Sequence, residues 1–438
     1  MARAANAVGT FQALRVRDFA LLWSGQTVSS LGDGIFTIAL AIVTLDVDHH
    51  PSGIAFVFAA RAIPSVLLAL VGGVVVDRVP RRLVMLTSDT VRGVAVGVTA
   101  LLIARGELRL WELIVMAAIF GAADSFFGPA ATTIVAELLT SEQLVAGNAL
   151  SQMSFQLTQG LLGPAIGGLV VAAIGTAWSF GFDAVSFAVS AVCLTLMRSR
   201  SRPATSRQTP IEDAREGLRY VRRHHWLFYS IVAAAFANFF GMAPLSVLLP
   251  LFVRETLHAS ALDLGLVFAA GGATGVLASL VVARRGAPRR QVSALWLAYA
   301  ASGAAIAALA FAPNVFVAAF VTALEVGLML YGDVLWFSMM QRLVPHEVLG
   351  RVSSLVYLFA ASLGPLGILL GGVAATALGV RHAILWCGLL SGTICLVVLL
   401  VPGVLDPERI PDLDTSLGGA TGITKAGDVP DTPERFEG

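Results

Sequence analysis

The sequence is short of charge, of lysine and of cysteine, and each shortage removes a class of protein. Only 13% of its 438 residues are charged, against about 25% in a soluble domain, and Lys425 is its single lysine. This composition leaves no basic face for nucleic acid. The cysteines Cys193, Cys387 and Cys395 all lie in apolar runs without a pairing motif, so we predict neither a disulfide framework nor a zinc site.

The motifs of enzymes are missing as well. The chain lacks the Gly-x-x-x-x-Gly-Lys-[Ser/Thr] loop that cradles nucleotide phosphates, so we expect no ATPase activity of its own. The histidine pairs 49–50 and 224–225 stand at the edges of apolar runs, and no His/Cys cluster has the spacing of metal ligands. No nucleophile–base arrangement is visible. We therefore predict a protein that is not an enzyme and that needs neither a metal nor a cofactor.

Long apolar runs are what the chain has in abundance. The hydrophobic fraction is 57% and the mean hydropathy is +0.81. A membrane helix needs about 20 mostly apolar residues, and the runs lack the period of two that barrel strands show. The pattern predicts an all-α membrane protein with twelve transmembrane helices, at 19–45, 54–76, 83–104, 111–135, 145–174, 177–197, 226–252, 262–283, 291–312, 314–340, 350–378 and 381–401.

The arginines predict the orientation of these helices. If residues 1–18 are cytoplasmic, the inner segments hold 20 arginines and the outer loops hold 4, namely Arg105, Arg109, Arg254 and Arg381. The positive-inside rule then places both termini in the cytoplasm. The inner loop 136–144 is an exception, because it holds Glu137 and Glu142 and no basic residue. We expect a multi-pass protein of the cell membrane.

The longest internal polar segment divides the runs six and six. It spans 198–225 and separates a first bundle, 19–197, from a second, 226–401. Its latter part, 211–225, has an apolar face opposite arginines, which fits either a helix lying on the anionic inner leaflet or a solvated linker helix. The Pro-, Gly- and Asp-rich tail 402–438 has no periodic pattern and is predicted to be disordered and cytoplasmic.

The two halves repeat one another. A Glu-x-Leu pair stands directly before the fifth run of each half, and the run itself carries a Gly-Pro step and a later Gly-Gly pair. Two six-helix repeats with a binding site at their interface are typical of secondary transporters, although a channel or a scaffold can also arise by duplication. The glycines and prolines of these helices either pack the bundle tightly or form a seam that slides. They are Gly163, Pro164, Gly167 and Gly168 in the first half and Gly364, Pro365, Gly367 and Gly371 in the second.

Charged side chains inside the first-half runs need a partner, water or a role. Each costs at least about 2.5–3.5 kcal/mol at the centre of a membrane helix. Asp89 and Arg92 stand three residues apart and can neutralise each other. Asp33 can pair with Arg61 or Arg92, or can carry a proton. We predict a network of intramembrane charges, with Asp124 as a cavity-lining or structural acid. Its members are Arg61, Asp89, Arg92, Asp124 and Asp183.

Glu325 differs from these acids because the second-half runs hold no cation to pair with it. Its expected neighbour is Asp333, which carries the same charge and lies two helical turns away. A carboxyl removed from water without a cation is less costly when neutral, so it can load and release a proton. We predict that Glu325 is the first candidate for proton coupling and Asp33 the second, with Asp333 beside Glu325.

Aromatic and polar residues along the runs can line a cavity between the halves or face their neighbours. An apolar cavity with few polar groups suits an amphipathic organic molecule. The candidates are Gln26, Gln152, Gln156, Asn238, Phe240 and Trp336.

The turn at 73–82 carries a known family signature. Its residues, Gly-Val-Val-Val-Asp-Arg-Val-Pro-Arg-Arg, resemble the Gly-x-Leu-Ala-Asp-Arg-x-Gly-Arg-Arg of the major facilitator superfamily, with Pro80 at the usual second glycine. The segment 163–168 is similar to the second half of the superfamily's antiporter signature, with Gln159 at a usual glycine. The resemblance covers roughly residues 10–402 and implies two six-helix bundles and a small-molecule substrate.

Further phrases resemble the branch of enterobactin exporters and macrolide efflux pumps. They are Ser30-Leu31-Gly32-Asp33, Arg61-Ala62-Ile63-Pro64, Pro129-Ala130, Glu142-Gln143-Leu144 with Asn148-Ala149-Leu150, Asp183-Ala184-Val185-Ser186-Phe187, and Gln341 and Pro345 with Leu349-Gly350-Arg351-Val352. That branch implies export of drugs, antibiotics or siderophores against proton entry. The commonest drug/proton antiporters carry an arginine in the fourth helix, where this chain has Asp124.

We therefore expect a monomeric efflux transporter in a lipid bilayer, exchanging amphipathic molecules for protons by alternating access. A proton-coupled importer of a small metabolite and a non-transporting receptor or scaffold are the alternatives. The signature turn offers a cytoplasmic gate, because Asp77 can cap the N-terminus of the eleventh helix near Gly350. Arg78, Arg81 and Arg82 can reach Glu137 or Glu142.

Overall fold

The structure is a computed structural model that describes residues 11–198, 210–285 and 288–409. These ranges are helical almost throughout and contain no β-strand. The predicted N-terminal segment before residue 11, the first part of the linker and the tail beyond residue 409 lie outside the described residues.

Thirteen long helices, here α1 to α13, make up the described fold. Their bounds lie within about four residues of the predicted runs, since the apolar stretches end at turn residues or at charge. The bounds are α1 Arg17–Val47, α2 Pro51–Arg78, α3 Arg81–Arg105, α4 Leu110–Leu138, α5 (Ser141–Phe155, Gln156–Leu162 and Gly163–Ile174), α6 Thr176–Leu196, α7 Pro210–Arg223, α8 (His225–Phe240, Met242–Leu251 and Phe252–Thr256), α9 Ala261–Arg285, α10 Gln291–Leu309, α11 Val315–Leu343, α12 (His346–Ser362 and Gly364–Leu378) and α13 Val380–Val397.

The predicted membrane architecture is confirmed. Among the described residues, eleven helices are long and apolar enough to cross a bilayer, and the shorter apolar segment Gly364–Leu378 completes a twelfth crossing together with the first part of α12. The chain is a multi-pass membrane protein. The ends of its helices form two faces. The linker face carries α7 and the α2–α3 turn, and the far face carries the α1–α2, α8–α9 and α12–α13 turns.

Tight turns join the helices at these faces. Gly175 and Gly379 hold the α5–α6 and α12–α13 turns with φ of 92° and 79°, a region that favours glycine because it has no Cβ. At the start of α11 the side chain of Asn314 accepts a hydrogen bond from the Val317 amide at 3.0 Å. At the start of α4 the Glu112 carboxylate accepts from the Arg109 amide at 2.8 Å. Such caps satisfy backbone groups that a helix end leaves free.

Three of the crossing helices are discontinuous. In α5 a π-helical turn, Gln156–Leu162, precedes Gly163-Pro164, and α12 breaks at Leu363, directly before Gly364-Pro365. In α8 the break is at Gly241, where φ is −104° and ψ is −89°. Proline has no amide hydrogen to donate and clashes with the preceding turn, which explains the matching positions in α5 and α12.

The apolar cores at the two faces differ in which half of the protein supplies their residues. At the linker face, one cluster around Phe19, Met85 and Leu139 belongs to the first six helices, and another around Trp226, Trp296 and Met339 belongs to the helices after α6. Toward the far face, one cluster draws buried residues from α1 and α2 as well as from α8 to α13, and a further cluster around Val43, Leu113 and Phe180 belongs to the first six helices alone. The two sets of six helices are therefore joined at the far face and keep separate cores at the linker face.

The linker helix α7 differs from both arrangements considered from its sequence. Val221 is 3% exposed and joins the second linker-face core, with Leu218 packed beside it. Glu216 and Arg351 of α12 form an ion pair at 2.8 Å. This part of the apolar face is covered by the bundle, which removes its apolar surface from water.

The start of the predicted disordered tail is packed, which corrects that prediction for residues 402–409. Val404 is fully buried, and a single turn of helix follows at Asp406–Arg409. Glu408 accepts hydrogen bonds from the amide of Ser293 at 2.6 Å and from its hydroxyl at 2.8 Å. A carboxylate is stabilised at the positive end of α10, an effect that composition does not reveal.

Close helix packing around Gly388 gives the first prediction. A Cβ at Gly388 of α13 would lie 2.6 Å from the Gly303 carbonyl oxygen and 2.8 Å from the Ala307 Cα of α10. We expect Gly388→Ala to cost about 1–3 kcal/mol through overpacking and to lower the melting temperature of the purified protein. Gly181→Ala in α6 is the control, because nothing lies within 4 Å of its Cβ position. Equal melting temperatures for both variants would contradict this packing.

Candidate functional site

Arg92 connects two carboxylates inside the first six helices. Its guanidinium lies 2.5 Å from Asp89, one turn earlier on α3, and 3.2 Å from Asp124 on α4. Asp89 is fully buried, whereas the Asp124 side chain is 44% exposed. The local pair considered from the sequence is thus present, and Asp124 shares the same cation. Arg92 thus connects α3 to α4 through a buried pair with Asp89 and a partly exposed pair with Asp124.

Aromatic rings surround both arginines of this group. The Arg92 guanidinium lies 4.4 Å from the Phe127 ring centroid and 4.6 Å from that of Phe187. The Arg61 guanidinium lies 4.5 Å from the centroid of Phe120, which stacks on Phe36 at 5.2 Å. Cation–π attraction partly replaces the lost hydration of a guanidinium. The sequence pointed to aromatic residues along these helices but did not identify this role.

Asp33 and Asp183 add two further acids to the same region. Asp33 Oδ1 is buried and has no hydrogen-bond partner in the part of the chain that the structure describes. The charges of Arg61 and Arg92 act on Asp33 from a distance, but neither arginine forms an ion pair with it among the described residues. Asp183 is fully buried and accepts a hydrogen bond from Ser186 at 3.2 Å. Four acids therefore share two arginines.

The acids of α11 have hydroxyl partners instead of each other. Glu325 is 2% exposed in a small apolar pocket and accepts a hydrogen bond from Ser302 at 3.2 Å. Asp333 accepts one from Tyr299 at 2.6 Å. Within the described ranges, no basic side chain forms an ion pair with either acid. Glu325 and Asp333 were expected to be each other's neighbours, but this contact is not observed. Instead, Ser302 and Tyr299, one turn apart on α10, each donate a hydrogen bond to one of the two acids.

The arginines of the α2–α3 turn contact different helices. Arg81 is 2% exposed and pairs with Glu137 of α4 at 2.8 Å. Arg82 donates to the carbonyls of Thr195 at 2.5 Å and Met197 at 2.7 Å, at the negative end of α6. Arg78 is exposed. The side chains of Asp77 and Glu142 lie outside the described residues. The observed contacts tie α3 to α4 and α6.

The glycines of α5 and α12 separate into two groups by the helix that they face. Gly163 and Gly167 pack on Gly34 and Ile35 of α1, and Gly367 and Gly371 pack on α8, so these contacts stay within one half. Open space surrounds Gly364. Pro164 and Pro365 are buried beside them.

Two of the paired glycines face the opposite half of the protein. Gly168 lies against Ala261 and Gly265 of α9, and Gly372 lies against Ala55 and Pro51 of α2. The halves thus meet through equivalent contacts on both sides. Gly372 belongs to the repeated Gly-Gly pair but had no assigned role in the sequence.

The cavity candidates differ in burial, and one of them packs in a core. Gln26, Gln156, Asn238 and Phe240 are half-buried, and Gln152 is exposed. Gln26 Nε2 is buried without a hydrogen-bond partner among the described residues. Trp336 instead packs its ring on Trp226, 6.4 Å between centroids, at the edge of the second linker-face core. It serves packing in this arrangement.

Comparisons with known proteins agree with this architecture. A family model described as Major Facilitator Superfamily matches residues 22–368. The multidrug efflux pump Tap of Mycobacterium tuberculosis is 28% identical over 91% of this chain and 97% of its own length, and macrolide efflux protein A of Streptococcus pyogenes is 22% identical over 90% and 97%. The fold is similar to a bacterial homologue of the iron transporter ferroportin in an inward-facing state, with a TM-score of 0.68, 18% identity and coverage of 87% and 98%.

The shared cation makes Arg92 the most sensitive charge of this network. We expect Arg92→Gln to destabilise the protein by about 3–5 kcal/mol, because it leaves Asp89 buried without its partner. The variant should give less folded protein and a lower melting temperature. Adding Asp89→Asn should recover much of that loss, since the remaining pair is neutral. A single variant as stable as the wild type, or no recovery in the double variant, would contradict the network.

Proposed function

This chain belongs to the Major Facilitator Superfamily, and on that premise we propose that it is a secondary active efflux transporter that exchanges amphipathic small molecules for protons. The observation that carries the proposal is Glu325, a buried acid with a hydroxyl partner and, within the described ranges, no ion pair. An acid in this setting is retained at a cost, and that cost indicates a role in transport.

The relatives support export over import. Proteins named for multidrug and macrolide efflux match this chain over nearly their whole lengths. Drugs and macrolides share amphipathic character, so we propose substrates of that class. We further propose that the protein acts as a monomer and without a cofactor.

The distribution of arginines supports one orientation of the transporter in the membrane. The arginine-rich segments 78–82, 215–223 and 284–290 belong to the sequence between helices on the linker side, and the far-face loops hold four arginines. By the positive-inside rule we assign the linker face to the cytoplasm. Both termini then lie there, and the far face meets the exterior.

The distribution of cores supports a conformation that is open to the cytoplasm. One apolar core seals both halves together at the far face, whereas the cores at the linker face remain separate. Substrate would enter between the halves from the cytoplasmic side. The contacts of Gly168 with α9 and of Gly372 with α2 provide the small surfaces over which the halves can rotate.

Proton coupling follows from the difference between the charged and neutral forms of Glu325. In the inward-open arrangement the carboxyl is nearly removed from water, where the neutral acid costs far less than the carboxylate. A proton taken up from the exterior therefore favours this arrangement, and its release to the cytoplasm favours the opposite one. Entry of one proton supplies about 2.3 kcal/mol per 100 mV of membrane potential. At one proton per cycle this energy supports roughly a fiftyfold concentration ratio of a neutral substrate across the membrane.

The α2–α3 turn is proposed as the cytoplasmic gate. The Arg81–Glu137 pair holds α3 against α4, and Arg82 ties α3 to the end of α6. Asp77, at the end of α2, is proposed to cap the N-terminus of α12 when the cytoplasmic side closes.

Glu325→Gln tests the coupling. We expect the variant to lose uphill export driven by a pH gradient, because glutamine cannot titrate, while substrate binding remains within about twofold. Drug accumulation in cells and equilibrium dye binding to the purified protein measure these two properties. Glu107→Gln, an exposed far-face acid, is the control. Gradient-driven export that survives the change would move the proton to Asp33 and would remove Glu325 from the mechanism.

Asp77→Asn tests the gate. We expect normal amounts of folded protein and a loss of efflux of at least about tenfold, because the neutral side chain is a weaker partner for the positive end of a helix. Substrate accumulation at matched expression is the measurement, with Asp18→Asn at the start of α1 as an acid of the same face. Full efflux by the Asp77 variant would refute the proposed cap.

A further inference from the structure

A second cavity lies on the outside of the second half, apart from the charged residues described above. It is a groove of about 350 Å³ between α8 and α13. Tyr229, Val232, Ala233 and Phe236 supply one wall, at the spacing of a single helix face, and Thr393, Ile394, Val397, Val398 and Val401 supply the other. No lining residue is charged or belongs to the first six helices.

The groove has the orientation of a lipid chain. Its α8 wall runs from Tyr229 to Phe236, a rise of about 10 Å, and it begins one turn inside the linker face. One leaflet of hydrocarbon is about 15 Å deep. The neighbouring Leu396 and Leu400 are 50% and 82% exposed, so the mouth opens onto a surface that meets hydrocarbon.

The end of the groove at the linker face is basic. The last turn of α7 carries Arg222 and Arg223, both exposed, directly before the start of α8. His225 follows and contacts Tyr229 of the groove wall, with ring centroids 6.2 Å apart. One acid stands near this end, because Asp406 and His225 both lie beside the Cβ position of Gly403.

We propose that the groove binds one acyl chain of an anionic phospholipid and that Arg222 and Arg223 bind its headgroup. The apolar walls match the chain, and the exposed guanidiniums match a phosphate at the level where headgroups lie. Zwitterionic lipid offers the same chain with a weaker headgroup contact. This proposal does not depend on the transported substrate or on proton coupling.

The test is lipid retention by the purified full-length protein. Wild-type protein is incubated with phosphatidylglycerol or phosphatidylcholine in mixed micelles, and the lipid that stays bound is counted by native mass spectrometry. Val397→Trp fills the groove, and Leu396→Trp places the same ring one residue away, outside the lining. Arg222→Gln/Arg223→Gln removes the headgroup contact, and Arg215→Gln removes an exposed arginine farther along α7. Thr393→Phe replaces Val397→Trp if that variant does not fold.

We expect wild-type protein, Leu396→Trp and Arg215→Gln to prefer phosphatidylglycerol and to retain about one molecule. Val397→Trp should lose retention of both lipids. The double arginine variant should weaken phosphatidylglycerol binding by about fivefold for each arginine, with phosphatidylcholine unchanged. Equal retention by Val397→Trp and Leu396→Trp would overturn the site, and equal preference for both lipids by the wild type would overturn the anionic headgroup. Displacement of bound lipid by a transported dye would assign the groove to substrate instead.

Discussion

Unequal numbers of acids and cations inside hydrocarbon constrain this protein more than any other feature. In the first half, Asp33, Asp89, Asp124 and Asp183 share Arg61 and Arg92. In the second half, two acids of α11 have hydroxyl partners and no ion pair within the described ranges. Such groups cannot all be charged at low cost, so their protonation is linked to how much water reaches them. We propose that a change of conformation that admits water to one of them also moves a proton.

The packing of the helices provides the conformational freedom that this linkage needs. The halves share a core at the far face, and glycine contacts of α5 with α9 and of α12 with α2 repeat beside that core. The breaks in α5, α8 and α12 divide these helices into segments that can tilt separately. Small surfaces and short segments resist rotation less than long interdigitated helices would. The contacts of Arg81 and Arg82 tie α3 to α4 and to α6 within the first half.

The sequence predicted the helices well because membrane thickness and charge determine where they start and end. It also indicated the buried acids, since ionisable groups are rare in such runs. It could not predict the partners of Glu325 and Asp333, because Ser302 and Tyr299 are ordinary residues whose role depends on how α10 packs on α11. The different roles of Gly167 and Gly168 depend on helix rotation by a single residue. The packing of residues 402–409 depends on the free amide of Ser293, a tertiary contact that leaves no periodic pattern.

The distance between the two halves, measured at both faces as pH changes, shows whether a buried carboxyl selects the conformation. Spin labels at Thr140 and Gln341 report the linker face, and labels at Glu107 and Asn314 report the far face, all of them exposed positions. Acid should lengthen the first distance and shorten the second, whereas Glu325→Gln should hold the inward-open distances at every pH. Distances that ignore pH in the wild type, or that still titrate fully in the variant, would contradict the claim that a buried carboxyl of α11 selects the conformation.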